Sequence, residues 1–255
     1  MDYQSLFLSH GSPMMVLEDS PARRFLQSLG PRLGKPPAVI AMSAHWPSRV
    51  PVLGFAAWPD KINDIYGFPP DLYQLEYAPP GAPEIAARAA DLLGGNVRRD
   101  PGAGIDHGIW SVMSLIWPEA DVPVVPLSVQ PDASPAHHFE IGRRLRPLAE
   151  DGVLILGTGA ATHNLKDYFR RPAEAPADAG TVAFTQWLAE ATGDGDTGAL
   201  LEYRRLAPHA IHAHPTDEHL LPFFAALGAS RDGRGDRLHQ SLDSGILAMD
   251  AYGFR

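Results

Sequence analysis

The amino-acid sequence predicts an α/β fold made of a single domain, with a central mixed sheet and helices on both faces. Short apolar runs of strand length alternate with longer segments that have helical spacing and helix-forming residues. No low-complexity stretch or linker divides the 255 residues. We therefore treat residues 1–255 as one domain.

Four apolar runs that end in small or polar residues indicate buried strands. They are Ser5–Ser9, Ala38–Ser43, Val122–Val129 and Val153–Leu156. If these strands are parallel, their carboxyl ends meet at one edge of the sheet, which is where α/β folds bind their ligands.

Six segments between and after these strands have the spacing of helices. They are Ala22–Leu29, Ala82–Leu93, Ile109–Ile116, Pro135–Leu148, Thr181–Ala191 and Thr216–Leu227. Thr216 has the side chain of an N-cap for the last helix. Long loops rich in proline and glycine cover residues 58–80, 100–108 and 171–180, and long loops in a compact domain are often functional.

The composition excludes several classes of protein. The chain is 45% hydrophobic and 20% charged, as folded proteins are. Its 21 basic and 30 acidic residues give a net charge of −9, so we expect no nucleic-acid partner. The absence of cysteine excludes disulfides, thiolate metal sites and a cysteine nucleophile. No apolar run is long enough for a membrane helix, so we expect a cytoplasmic protein with no membrane partner.

Histidine, the commonest metal ligand, occurs 11 times. His10 closes the first predicted strand, His45 closes the second, and His163 follows the fourth after a glycine-rich turn. All three should therefore lie at the same sheet edge. His107 and His214 each directly precede a predicted helix and complete a set of five candidates for metal binding or proton transfer.

The other histidines are expected to have surface or structural roles. They are His137, His138, His209, His212, His239 and His219, the last as a residue of the final predicted helix. Tyr66 and Phe68 lie in a loop that is too irregular for a helix stripe, and they could wall an aromatic substrate pocket. A hydrolase triad has little support because no Gly-x-Ser-x-Gly motif is present.

These motifs resemble those of the class III (LigB-type) extradiol ring-cleavage dioxygenases, in particular the 4,5-DOPA-extradiol-dioxygenase branch. The matching segments are Ser9-His10-Gly11-Ser12-Pro13, Ser43-Ala44-His45-Trp46, Tyr66-Gly67-Phe68-Pro69, Asp106-His107-Gly108-Ile109-Trp110, Thr162-His163-Asn164-Leu165 and His214-Pro215-Thr216. They follow the order of the family from near residue 5 to near residue 228. As a set they are specific, although each is weak alone.

The resemblance implies a non-haem Fe(II) enzyme that opens the ring of an L-DOPA-like catechol with O₂ and gives a muconic-semialdehyde-type product. It implies that His10, His45 and His214 are metal ligands and that His107 lies beside the bound substrate. His163 would be the acid/base histidine or a fourth ligand. The partners would be a small aromatic diol and O₂.

Two alternatives stay open. A site made only of histidines suits Zn²⁺ as well as Fe(II), so zinc can occupy it in a purified sample and recruit His163, and a zinc-dependent hydrolase is the first alternative. A metal-binding regulatory protein is the second, although such a protein has no need of His163, His107 and an aromatic loop. The sequence leaves the oligomeric state open.

Overall fold

The computed structural model describes residues 3–255, which form ten strands, eleven α-helices and a short 3₁₀ helix at Pro13–Val16. The strands are β1 (Ser5–Ser9), β2 (Val39–Pro47), β3 (Val52–Gly54), β4 (Arg98–Asp100), β5 (Val124–Val129), β6 (Leu154–Gly159), β7 (Gly235–His239), β8 (Leu242–Asp243), β9 (Leu247–Ala248) and β10 (Ala251–Phe254). The helices are α1 (Pro21–Leu33), α2 (Pro70–Gln74), α3 (Pro83–Leu93), α4 (His107–Ile116), α5 (Pro135–Glu150), α6 (Leu165–Tyr168), α7 (Ala179–Asp194), α8 (Thr197–Leu201), α9 (Tyr203–Leu206), α10 (Ala210–Ala213) and α11 (Leu221–Ala229).

Eight of the strands form one mixed sheet in the order β4-β3-β5-β2-β6-β1-β10-β7. The central strands β5, β2, β6 and β1 run parallel to one another. On either side of them, β3 is antiparallel to β5, and β10 is antiparallel to β1. The four predicted strands are thus the parallel centre of the sheet, and their carboxyl ends share one edge.

The core lies on both faces of this sheet, because side chains along a strand point alternately to opposite sides. In β1, Leu6 and Leu8 pack in a hydrophobic cluster with α1 and α4. Phe7, between them, packs in a second cluster with α5, α7 and α11. The predicted α/β fold with helices on both faces is confirmed.

The last predicted helix, Thr216–Leu227, starts too early in the sequence. Residues 214–220 contain no helix, and α11 begins only at Leu221 with Pro222 in its first turn, where a fixed φ angle favours helix initiation. Thr216 is not an N-cap, since its hydroxyl donates to Glu218 Oε1 at 3.0 Å. His219 therefore lies in a turn before the helix, not on it.

Two glycines of β6 allow this turn and α11 to approach the sheet closely. A Cβ atom on Gly159 would lie 2.0 Å from the carbonyl oxygen of His219, and one on Gly157 would lie 2.1 Å from that of Pro222. The backbone N–H of Ala160 donates to the His219 carbonyl at 2.9 Å. The turn that carries His219 is thereby fixed at the carboxyl end of β6.

We expect Gly142→Ala to destabilise the fold. Helices α5 and α11 cross so closely that a Cβ on Gly142 would lie 1.9 Å from the carbonyl oxygen of Ala225. Overpacking of this kind costs about 1–3 kcal/mol, which exceeds the helix-propensity gain of about 1 kcal/mol. Urea denaturation checks this. The control Gly193→Ala, in α7 with open space around the glycine, should be neutral or stabilising. Equal effects of the two substitutions would contradict the prediction.

Candidate metal centre

Three imidazoles from distant parts of the chain meet at the carboxyl edge of the parallel strands. His10 directly follows β1, His45 lies two residues before the end of β2, and His219 comes from the turn on β6. The Nε2 atom of His45 lies 3.0 Å from Nε2 of His10 and 3.3 Å from Nε2 of His219. Nitrogens about 2.1 Å from one ion, at ligand angles of about 90–110°, are about 3.0–3.4 Å apart. The His10–His45 and His45–His219 pairs thus have the spacing of ligands on one metal ion.

Two further imidazoles border the same space. The ring centroid of His107 lies 3.9 Å from that of His45, and the two residues with His10 form a group of potential metal ligands. The ring of His163 stacks on that of His219 at 3.3 Å and an interplanar angle of 12°. All five rings line one cavity of about 260 Å³. Four of the five candidates predicted from the sequence are thus brought together.

A threonine hydroxyl fixes the tautomer of His10. The Thr158 hydroxyl donates its only hydrogen to the carbonyl of Gly108 at 2.7 Å. Its oxygen lies 3.1 Å from His10 Nδ1 and must therefore accept the Nδ1–H hydrogen. The Nε2 lone pair of His10 is left to face the cavity, as a metal ligand requires.

Carboxylates orient His219 and His107 in the same way. His219 Nδ1–H donates to Glu218 Oε1 at 3.0 Å. His107 Nδ1–H donates to Asp64 Oδ2 at 2.8 Å, and the backbone N–H of His107 donates to Asp64 Oδ1 at 2.9 Å. Because an ionised carboxylate only accepts hydrogen bonds, Nδ1 carries a hydrogen in both rings, and in the neutral form of each ring the lone pair is on Nε2.

His10, His45, His163 and His219 are electrically neutral near pH 7. Burial, with the neighbouring His107, lowers the pKa of His45 to about 3, and burial lowers the pKa of His163 to about 4. Burial and the surrounding imidazoles hold the pKa values of His10 and His219 well below 6.5. Neutral imidazole is the form that binds a metal or accepts a proton.

The structure does not bring His214 to this cluster, which corrects the expectation drawn from the resemblance. The His214 ring is buried beside Phe184, and its Nε2–H donates to the carbonyl of Ala161 at 2.9 Å. The preceding residue, Ala213, accepts a hydrogen bond from the backbone N–H of His163 at 2.8 Å. His214 therefore holds the backbone that carries His163, and His219 stands where His214 was expected.

The aromatic loop contributes one of its two predicted residues to the cavity. Phe68 lines the wall, whereas Tyr66 is 89% exposed and lies outside it. Gly67, between them, has a φ angle of 77°, and this left-handed conformation turns the chain so that its two neighbours face different surroundings. Leu165, Leu247 and Met249, which the sequence analysis did not select, complete the apolar wall.

The fold and the cluster together define an α/β protein with a histidine-rich metal site at the ends of parallel strands. Residues 4–254 match the family described as the catalytic LigB subunit of aromatic ring-opening dioxygenase. The chain is 39% identical to a 4,5-DOPA dioxygenase extradiol from Beta vulgaris, over 98% of this chain and 96% of that protein. It is 37% identical to one from Escherichia coli K12, over 88% and 84%.

A solved structure agrees with these sequence relatives. An uncharacterized protein from Escherichia coli K12 superimposes with a TM-score of 0.80 and 31% identity, over 98% of this chain and 99% of that chain. The chain belongs to the LigB family and is an extradiol ring-cleavage dioxygenase. The resemblance and the prediction of an enzyme are confirmed, and the alternative of a regulatory protein is excluded.

We expect Thr158→Val to lower metal affinity about 10- to 100-fold, because it removes the acceptor that orients His10. Thr158→Ser keeps the hydroxyl and should restore most of the affinity. Zinc dissociation constants, measured by competition with a chromophoric chelator, check this. Thr192→Val, which removes the hydroxyl of a fully buried threonine in α7, should leave the zinc affinity unchanged. A valine variant at position 158 with wild-type affinity would contradict the assigned tautomer.

The metal-free protein should lose stability as the pH falls below about 6.5. Six buried histidines have lowered pKa values in the folded state, so below pH 6.5 the unfolded chain binds more protons. They are His10, His45, His138, His163, His214 and His219. Each of these histidines lowers the free energy of unfolding by at most about 1.4 kcal/mol for every pH unit below 6.5.

Two buried carboxyl groups act in the opposite direction, because burial raises the pKa values of Asp106 and Asp250 to about 6 and folding then favours their protonated form. Two groups cannot offset six, so stability should be flat from pH 8 to 7 and fall steeply from pH 6.5 to 5. Urea denaturation with a chelator present measures this. Equal stability at pH 7 and 5 would refute neutral, buried imidazoles.

Proposed function

We propose that the protein is an Fe(II)-dependent enzyme that opens the ring of a catechol with O₂ and releases a muconic-semialdehyde-type product. The observation that carries the proposal is the convergence of inward-facing Nε2 atoms in a cavity with an apolar wall. Family membership supports ring opening. We propose an L-DOPA-like catechol as the substrate and use L-DOPA as the reference compound, because relatives of the chain are named DOPA dioxygenases.

We assign His10, His45 and His219 as the metal ligands, with His219 in place of His214. Their rings are neutral, the Nε2 atom of His45 lies 3.0 Å from that of His10 and 3.3 Å from that of His219, and such a donor set suits a divalent cation of either iron or zinc. A ferrous ion held there would supply open coordination positions for the catechol oxygens and for O₂. His163 is left free for proton transfer.

His163 has the position and the protonation state of a general base. Burial keeps it neutral near pH 7, and it lines the cavity beside His219. It can therefore take the proton from a catechol hydroxyl and later return it. Glu218 Oε1, 4.0 Å from His163 Nδ1, favours the protonated ring while it exists.

His107 and the apolar wall position the substrate. Asp64 fixes the His107 ring with its Nε2 lone pair toward the cavity, where it can accept a hydrogen bond from the second catechol hydroxyl. Phe68, Leu165 and Met249 can contact the aromatic ring and exclude water from it. Exclusion of water strengthens each polar interaction inside the site.

We propose one catalytic domain over residues 1–255, with a small aromatic diol and O₂ as partners and no nucleic acid. Among residues 3–255, no helix has both the length and the apolar character needed to cross a membrane. The cytoplasmic location stays a prediction from the sequence.

Oxygen consumption tests the ring-opening proposal. Metal-free protein is loaded with Fe(II) or Zn(II) under anaerobic conditions and then mixed with oxygenated catechol or L-DOPA. The iron form should consume one O₂ per catechol and produce the absorbance of a semialdehyde, whereas the zinc form should consume none. If the iron form consumed no O₂ and the zinc form hydrolysed esters or amides, the alternative of a zinc-dependent hydrolase on this histidine site would replace ours.

Metal content should collapse in His219→Ala as it does in His10→Ala and His45→Ala, because each removes one of three ligands. His214→Gln, by contrast, should retain near-stoichiometric metal, since its ring bonds to the backbone of Ala161. Metal analysis after dialysis measures both, with His137→Ala as a control outside the cavity. Loss of metal in His214→Gln but not in His219→Ala would reverse the assignment.

His163→Ala should retain iron and catechol binding but turn over about 10²- to 10⁴-fold more slowly, as expected when a general base is removed. The limb of the pH–rate profile that reports its titration should disappear. Rate measurements on iron-loaded protein, together with metal analysis, check this. Iron loss equal to that of His10→Ala would instead make His163 a fourth ligand.

A further inference from the structure

Apart from the histidines, the lining of the cavity is mainly apolar. Pro13, Phe68, Leu165, Leu247 and Met249 line it. The cavity measures about 260 Å³, which is below the range of about 300–1,000 Å³ typical of sites for drug-sized ligands. Such a volume suits one aromatic ring with a short substituent.

The hydroxyl groups of this wall are largely engaged within the protein. The Tyr168 hydroxyl donates to Asp243 Oδ2 at 3.0 Å. The Thr162 hydroxyl donates to the carbonyl of Ile246 at 2.7 Å and accepts from the backbone N–H of Ala248 at 2.8 Å. Ser12 accepts from the N–H of Met14 at 3.3 Å and keeps its own hydrogen. Among the described lining residues, Ser12 thus offers the one hydroxyl donor that is still available to a substrate.

Carboxylates line two clefts that adjoin the cavity, and one of them, Asp19, is paired with Arg24. An adjoining cleft shares Ser12, Tyr168 and Met249 with it and is lined by Glu18, Asp19 and Asp243. A second cleft shares His163 and Leu165 and brings Asp167, Glu218 and the exposed Lys166. Burial, Asp243 and Glu18 together raise the pKa of Tyr168 to about 12, which agrees with a negative potential at this rim.

We infer that the preferred substrate is a single-ring catechol with a short uncharged substituent, and that a carboxylate on the substituent weakens its use. The inference rests on the proposed ring-opening function. An alkyl substituent gains from burial against the apolar wall. A carboxylate in the same place loses water, finds one free hydroxyl donor and is repelled by the acidic rim. L-DOPA, which carries both a carboxylate and an ammonium group, should therefore be used less well than a neutral catechol.

A series of catechols that share the ring and differ in substituent charge tests this. The series is 4-propylcatechol, dopamine, 3,4-dihydroxyphenylpropanoate and L-DOPA. On iron-loaded protein, kcat/KM for 4-propylcatechol should exceed that for the propanoate by about tenfold or more, with dopamine between them. Anaerobic calorimetric titration should give the same order of affinity. A propanoate or L-DOPA value equal to or above that of 4-propylcatechol would overturn the inference, as would dopamine below the propanoate.

A positive charge introduced at the mouth of the cavity provides a second test of the substituent preference. Phe169 lines the cavity and is 78% exposed, so an arginine there can reach solvent and the substituent. Phe169→Arg should raise kcat/KM for the propanoate relative to 4-propylcatechol by about fivefold or more. The control Ile211→Arg adds the same charge on α10, at a residue that is 67% exposed and outside the cavity, and should leave that ratio unchanged. Equal shifts in both variants would overturn a local origin of the selectivity.

The two proposals fail in different ways. If no catechol is consumed by the iron form, the ring-opening function fails, and the anaerobic affinities still decide the substituent preference. If all four catechols are consumed with the opposite order of kcat/KM, the function stands and the inference about the substituent fails.

Discussion

His10, His45, His163 and His219 share one buried cavity as neutral imidazoles. A proton on any one would place a charge in a desolvated space beside four similar rings, and burial and mutual repulsion therefore hold these pKa values down. Neutral rings still need a fixed tautomer, and Thr158, Glu218 and Asp64 supply it from outside the cavity. The donor geometry, the proton acceptor and the acid sensitivity of the fold all follow from this constraint.

Strand β6 serves the site through both of its faces. Its glycines at positions 157 and 159 face α11 and the turn that carries His219, where any side chain would collide with backbone. Thr158, between them, faces the opposite side and holds His10. The alternation of a β-strand thus places one proposed ligand by close backbone contact and orients another by a hydrogen bond. The short Gly157-Thr158-Gly159 segment thus links the His219 turn to His10.

The sequence was informative where a functional residue followed directly from a strand end. His10, His45 and His163 could be placed at one sheet edge because buried parallel strands have a clear apolar signature. His219 was missed because Thr216 resembled an N-cap, although Pro215 and Pro222 enclose a polar stretch typical of a turn. Tyr66 and Met249 show a different limit, since the choice of side chains that wall a cavity depends on how distant segments pack.

The proposed ligands are far apart along the chain, and this separation determines when the metal site can form during synthesis. His45 lies 35 positions from His10 and 174 positions from His219. An ion shared by these residues acts as a cross-link that encloses most of the polypeptide, and closing so large a loop carries an entropic cost that the ion offsets once bound. During synthesis the cross-link cannot form until the turn at His219 has left the ribosome. With the proposed ligands, the complete metal site forms only late in the maturation of this enzyme.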